Sequence, residues 1–516
     1  MHKADPIEMD DVQGLVLRGY NYPNIRYIIL NIKDVAGAQK FCADLAAGNG
    51  LGSLVITNAE PWENKIKPEY CLNIGFTYSG MEKLIGTVNC KSVYNWSSMQ
   101  VFNSFSQGAV ADAVAIGDTG DSAPSNWWKN GGWISETGPS ADGNDLHIQI
   151  TLFTLNPENR EKYYALLLGM IATTASGPSV VPVYYQDSDP ITVDNDPNYI
   201  HFGYRDSLSQ PRIEGVLRDD PMLMGVSSID DRPIVPADRF VISQNASDYR
   251  VHPLLTNGTF AAFRLLYQDV AKFNEFINSD KDTPPELMAA KMCGRWRDGT
   301  PLVVSPDKED KNLGIPSPRN FNFTNFNYLN PTPNQQGKDP KSDDLALRCP
   351  YASHIRRANP RDDTNVTGNN DKAEKHRIVR RASPYGPLYD PSEKSGERQR
   401  GLVGLFIGAV LDAQFRFVTT KWFELNNFRS PDASPNHSGI DPLFGPRDTD
   451  PDPVNDKEFA YNDNGTYKVI PNLTRFVRTD GSLYLFLPGI EGLRYLSKGT
   501  IPPRPKKVTV VDQKLD

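Results

Sequence analysis

The apolar run Tyr27–Ile32, inside the stretch VQGLVLRGYNYPNIRYIILNIK (12–33), suits a buried strand. From Asp34 to Ala47 the pattern shifts to helical spacing, with Val35, Ala38, Phe41 and Leu45 on one face. Cys71–Tyr78 (CLNIGFTY) predicts a second strand, with a helix over Ser79–Ile85 behind it. Asp145–Leu155 (DLHIQITLFTL) predicts a third strand, and Val180–Gln186 can close the sheet. Between these two, Pro157–Ala175 reads as a helix, opened by a proline with two glutamates close by.

With one more strand allowed in the unassigned middle, this order approaches the ferredoxin-like strand, helix, strand, strand, helix, strand. A related pattern recurs later. A turn over Pro233–Asp238 leads into a short strand, Arg239–Ser243; a strand follows over Gly258–Gln268 and a helix over Asp269–Asn278. Leu402–Val410 and Ser482–Leu487 read as buried strands. Two α+β domains of related architecture are therefore expected. Three polar stretches, 307–344, 362–375 and 426–464, read as long loops, which in compact domains are surface insertions or functional covers.

A chain of 516 residues exceeds one ordinary core, which agrees with two domains. Its 39% hydrophobic and 23% charged residues place it among globular proteins. The net charge of −8 argues against a nucleic-acid partner, which wants a basic face. The longest apolar run, Gly401–Leu411, is too short to span a membrane. Five cysteines without a CxxC pair predict neither a disulfide framework nor a zinc site. The acidic, polar start lacks the pattern of a secretory signal, so a cytoplasmic location is expected. The proline- and lysine-rich end, 501–516, reads as a flexible tail.

Three segments carry candidate chemistry. In RCPYASHIRRANPR (348–361), one histidine precedes Arg356, Arg357 and Arg361, with Asn359 between. A neutral imidazole can ligate iron, and Arg and Asn side chains can bind carboxylates such as those of haem. The same residues would also suit a basic surface loop. HFGYRDSLSQPRI (201–213) sets Asp206 behind a glycine and ahead of a small polar run, which suits a cofactor edge or an ordinary turn. HRIVRRASPYG (376–386) carries the pair Arg380–Arg381, which alone would be surface charge.

Taken together, the three segments resemble the dye-decolourising peroxidase family in order and spelling. That family's Gly-x-x-Asp-Gly followed by Ser-Gln-Pro is met by Gly203–Ser207 and Ser209-Gln210-Pro211. Its Cys-Pro-x-x-x-His-x-Arg-x-x-Asn-Pro-Arg is met from Cys349 to Arg361, and its Arg-Arg before Tyr-Gly by Arg380-Arg381 and Tyr385-Gly386. Weaker echoes, among them Gly294-Arg295-Trp296 and Arg400-Gly-Leu402, extend the likeness over most of residues 10–498. One departure stands out: Ser207 replaces the motif's last glycine.

The resemblance implies an α+β protein of two ferredoxin-like domains with antiparallel sheets, residues 10–225 and 235–500. It implies one haem b per chain, held mainly by the C-terminal domain at the domain interface, with iron ligated by His354. Asp441, in Ile440-Asp-Pro-Leu443, is then the candidate partner of the imidazole's other N–H, or else a loop cap. Asp206 and Arg380 are implied as the catalytic pair acting on hydrogen peroxide. Ser207, Leu208, Ser209, Asn359, Pro360, Arg361 and Arg380 are implied as cofactor contacts. The implied reductants are dyes, phenols and other aromatics, bulky ones oxidised through aromatic side chains; Trp296, Tyr351 and Tyr385 lie near the motifs. An aspartate base implies an acidic optimum, a free aspartate titrating at about 3.9. Monomer and dimer are equally compatible with the sequence. The nearest competing reading is a haem- or iron-handling protein with incidental peroxidase activity, although storage needs neither Asp206 nor Arg380. A binding protein without cofactor would not need His354, Asn359 and Arg361, and no HExxH motif supports a metallohydrolase.

Overall fold

The first strand outgrows its apolar run: β1 (Asn24–Ile32) is buried at every position. Asp34 then accepts the Gly37 N–H at 2.7 Å and caps α1 (Val35–Ala47), which ends at Gly48 in the left-handed conformation. β2 (Tyr70–Phe76), β3 (Ile148–Thr154), α2 (Pro157–Gly169) and β4 (Val180–Ser188) follow. The later repeat comprises β5 (Thr259–Gln268), α3 (Val270–Ile277), β6 (Val379–Tyr385), β7 (Gly401–Gly408) and β8 (Val477–Leu487), with α4 (Ile490–Ser497) behind it. The computed structural model describes residues 7–503 except 49–52, 95–102, 136–137, 207, 217–233, 244–250, 311–323, 325, 331–341, 364–365, 367–372, 425–427, 429–438, 445–457 and 464–465.

All eight strands join in one antiparallel sheet, in the order β6-β7-β5-β8-β2-β3-β1-β4. Each half repeats one spatial order: fourth strand, first, third, second. The halves meet where β2 touches β8 through Phe76 and Phe486. The outermost strands also approach one another, because Ser188 Oγ (β4) donates to the Pro384 carbonyl (β6) at 2.6 Å. Curling brings each edge strand against the other, which hides backbone groups that would otherwise recruit foreign strands. Gly404 permits close approach of β6 and β7, since a Cβ there would lie 2.2 Å from the Arg381 carbonyl oxygen.

The four N-terminal strands are those the pattern predicts, and no additional one is needed; helices fill the middle. The expected strand Arg239–Ser243 is absent. Phe240, Val241 and Ile242 are buried, but their amides are used in a turn and a loop, Val241 N–H on Ala237 O and Ile242 N–H on Gly258 O. Burial, not strand pairing, made them apolar. The helix expected to reach Ala175 stops at Gly169, and the chain turns into a hairpin pairing Thr173–Thr174 with Gly177–Pro178. The predicted loops 307–344, 362–375 and 426–464 lie partly outside the described residues. At the end of the last, Glu458–Asp463 pairs with Thr466–Pro471 just beyond it. Among the described residues no helix is long and apolar enough to cross a membrane. All five cysteines are buried and free.

Candidate functional site

A cavity of about 240 Å³ opens against β5 and β7. Leu402 and Phe406 of β7 face into it, which explains why they are less buried than their neighbours in the strand. Leu266, Phe415, Phe423, Leu443 and Phe444 complete a largely apolar wall. Into this wall the sequence inserts three polar groups.

The first group is His354 with Asp441. His354 opens the short helix His354–Ala358 and lines the cavity, and its Nδ1 lies 2.7 Å from Asp441 Oδ2. Asp441 Oδ1 accepts the N–H groups of Leu443 and Phe444, both at 2.8 Å. Burial works against the charge on Asp441, but the His354 ring, then Arg357 and the Phe444 amide, hold its carboxyl below the ordinary range. Nδ1 is thereby fixed as the N–H side of the ring, and among the described residues Nε2 has no hydrogen-bond partner. Phe423 lies against the imidazole, centroids 5.2 Å apart, at the end of a π-helical turn over Val418–Phe423. Such turns are rare and recur at functional sites.

The second group is Asp206 with Arg380. Gly203, at φ +80°, turns the chain so that Asp206 enters the cavity, and β6 brings Arg380 opposite. Their side chains are 3.4 Å apart, and Arg380 also donates to the Leu208 carbonyl at 3.1 Å. Gln210 straps this loop to β6, donating to the Arg380 carbonyl at 3.1 Å.

The third group is a set of cations around Ser209, itself in the left-handed conformation at φ 58°. Arg295 donates to Ser209 Oγ at 2.7 Å, Arg361 to the same oxygen at 3.3 Å, and Arg377 to its carbonyl at 2.8 Å. Burial first, and then the charges of Arg361 and Arg380, bring Arg295 down to about 10. Burial also lowers Arg361. Among the described residues neither Arg295 nor Arg361 forms an ion pair, and the Asn359 side chain has no partner. Holding the buried Arg295 and half-buried Arg361 together with no counter-charge among the described residues is costly, and a nearby anion would offset that cost.

No protein-family model matches the chain. Relatives are found, however, along nearly its whole length. A dye-decolorizing peroxidase of Mycena epipterygia is 25% identical over 95% of this chain and 87% of its own length. One from Auricularia auricula-judae is 26% identical with the same two coverages. The chain is a homologue of the dye-decolourising peroxidases. The crystal structure of a fungal DyP-type peroxidase from Auricularia auricula-judae superposes with a TM-score of 0.74, covering 96% of this chain and all of the other at 24% identity. An ancestral D-type dye-decolorizing peroxidase gives 0.73 over 95%.

Of the residues the peroxidase resemblance singled out, the cavity gathers Asp206, Leu208, Ser209, His354, Asn359, Arg361 and Arg380. Pro360 is buried and does not line it. Ser207 lies outside the described residues. Arg356 and Arg357, which the spelling put beside the histidine, turn away from the cavity. Arg356 is buried against Asp343 (3.0 Å) and Asp363 (2.7 Å), and Arg357 donates to the carbonyls of Trp422 (2.6 Å) and Gly439. Arg295 and Arg377 were missed as contacts. The Gly-Arg-Trp spelling around Arg295 was one available signal; Arg377 stood inside the segment HRIVRRASPYG but was passed over for the pair Arg380–Arg381. Trp296, Tyr351 and Tyr385 are all buried, and none lines the cavity. Among the described histidines, only His354 does.

Behind Phe423, Glu424 is held in a buried acidic neighbourhood. One of its carboxyl oxygens is buried without a partner among the described residues. Burial, followed by the charges of Asp118 and Asp112, pushes it up to about 8 despite Arg416. A carboxyl raised in the folded state stabilises fully below its unfolded value, about 4.3, and loses that contribution as pH rises through about 8. Glu424→Gln removes this loss. Its melting temperature is therefore expected to gain on that of the parent by several degrees between about pH 5 and about pH 8. A constant offset across that range, read by calorimetry, would exclude the linkage.

Proposed function

We propose that this protein is a haem-dependent peroxidase that reduces hydrogen peroxide and oxidises dyes, phenols and other aromatic reductants in one-electron steps. One observation carries the reading. A single apolar cavity holds an imidazole whose Nδ1 proton is committed to a buried carboxylate, an aspartate–arginine pair, and the cations Arg295 and Arg361, which form no ion pair among the described residues. These are the three things a haem site must supply: an axial nitrogen, a peroxide-handling pair and an anchor for carboxylates. We read the two halves of the sheet as ferredoxin-like domains, 10–225 and 235–500. The repeated order fourth, first, third, second supports this, as does the supply of His354, Arg380 and most anchors by the second half.

In this reading a b-type haem supplies the redox chemistry when bound, and the chain does the rest. His354 presents Nε2 as ligand, and Asp441 keeps it oriented and basic. Arg295, Arg361 and Asn359 hold the carboxylates. The apolar wall lowers the local dielectric, which strengthens the action of the partly exposed Arg380 charge on a bound peroxide. Asp206 takes the proton from one peroxide oxygen and returns it to the other, and Arg380 stabilises the departing oxygen's negative charge.

The test is the visible absorption spectrum of haem-loaded protein before and after one equivalent of hydrogen peroxide. A prompt band shift that reverses when a dye is added is the expected result. Slow bleaching alone would favour a haem-handling protein, and no haem band at all would sink the proposal. Asp206→Asn should keep the resting band but slow the shift by roughly 10²–10⁴-fold, the usual range for losing a general acid–base group.

A further inference from the structure

A second cavity, of about 590 Å³, opens between the helix Asn103–Asp112 and β8. It shares no lining residue with the first. Its wall combines aromatic residues, Tyr78, Trp128 and Tyr484, with the hydrogen-bonding side chains of Ser106, Gln107 and Asn144. Lys83 offsets part of the charge of Glu82 and Asp142, so the wall suits a neutral aromatic molecule with hydroxyl groups better than an ion.

Two features at this wall are unusual. Trp128 sits at φ 64°, a conformation costly for a bulky residue. It persists because its ring packs over Gly481, where a Cβ would lie 2.5 Å from it, and stacks on Phe263. Tyr484 is buried, yet its hydroxyl donates to the Asp112 carboxylate at 2.8 Å. The Tyr484 ring also lies 6.2 Å from Phe415, which lines the first cavity. Tyr484 thus lines one cavity and is a single ring away from the other.

We propose that the second cavity is a reductant site for neutral phenols, oxidised through Tyr484 with Asp112 as the proton acceptor. This rests on the peroxidase reading, which supplies the oxidant. A phenol side chain that loses an electron must also release its proton, and the carboxylate at 2.8 Å receives it. The electron goes to the oxidising equivalent that peroxide leaves in the first cavity. A phenol in the second cavity then gives one electron to Tyr484, the proton on Asp112 returns to the tyrosine oxygen, and the bound phenol's own proton leaves to water. Two such cycles convert one hydrogen peroxide and two phenols into two waters and two phenoxyl radicals.

The experiment uses the haem-loaded full chain and 2,6-dimethoxyphenol. Binding without peroxide, followed by tryptophan fluorescence, should weaken at least about tenfold in Ser106→Trp, which fills the cavity from its helical wall. After peroxide, rapid-freeze electron paramagnetic resonance should show a tyrosyl signal that Tyr484→Phe lacks. Undiminished binding in Ser106→Trp, or the same tyrosyl signal in Tyr484→Phe, would overturn the proposal. A haem band that ignores peroxide would remove the peroxidase reading and the electron path with it, while the binding measurement would still decide whether the cavity takes phenols.

Discussion

His354→Ala is expected to yield a folded protein that fails to retain haem after reconstitution and desalting. Removal of the imidazole takes away the only described histidine in the cavity. Asp441 then loses one partner, but its Oδ1 keeps the Leu443 and Phe444 amides. The loop around it should therefore survive, at a cost of about 1–3 kcal/mol for the group left short of a partner. Melting temperature and cofactor retention are thus separable readouts. Added imidazole should restore part of the haem band by entering the space left behind, which a generally misfolded cavity would not allow. Asp441→Asn tests the same unit more gently. The ring keeps its place but loses its charged partner, and affinity should fall by roughly 10–100-fold, as is usual when a ligand's hydrogen-bonding partner is altered. Normal retention in His354→Ala would end the ligand assignment.

In the N-terminal half β1, β2 and β3 were readable because they are buried almost throughout, β1 and β3 at every position. β6 escaped notice for the opposite reason. As an outer strand facing a polar end of the cavity, it reads Val-Arg-Arg-Ala-Ser-Pro-Tyr, without alternation to follow. The expected strand at 239–243 failed because apolar spelling reports burial before it reports backbone geometry. At the site, residues within motifs were legible, whereas the division of labour among arginines was not. The spelling HIRRANPR sets Arg356, Arg357 and Arg361 within one turn or two of His354, but a helix sends successive residues in different directions. Arg361 reaches the cavity only because the helix has ended and its own φ is +58°. Arg295 and Arg377 arrive from distant segments, and only the fold could put them beside Ser209. The Asp441 assignment, equally readable as a loop cap, gains support from a feature combining both: the carboxylate caps the turn at Leu443 and Phe444 with one oxygen and meets His354 with the other.

Arg380→Leu should bind haem normally and react with peroxide about 10²–10³-fold more slowly, the loss typical when one donor to a developing anion is removed. Cofactor retention is expected to hold because Arg295, Arg361, Asn359 and His354 are untouched. The fold should hold too, since the ion pair with Asp206 spans 3.4 Å between partly exposed side chains, and such pairs contribute about 0–1 kcal/mol. The variant therefore isolates the guanidinium's effect on the reacting peroxide. Two further comparisons sharpen it. Arg380→Lys keeps the charge but not the planar fork that reaches Asp206 and the Leu208 carbonyl together, and should recover only part of the rate. Asp206→Asn combined with Arg380→Leu should be little slower than the worse single variant, because both groups serve one step and their effects do not add. Stopped-flow measurement of the haem band against peroxide concentration gives the rate constants directly. If Arg380→Leu reacts at the parent rate, the arginine is a strap for the 206–210 loop and Asp206 must act without it. If the double variant is slower by the product of the two single losses, the residues act on separate steps, and the cooperative proton transfer proposed for the pair is wrong.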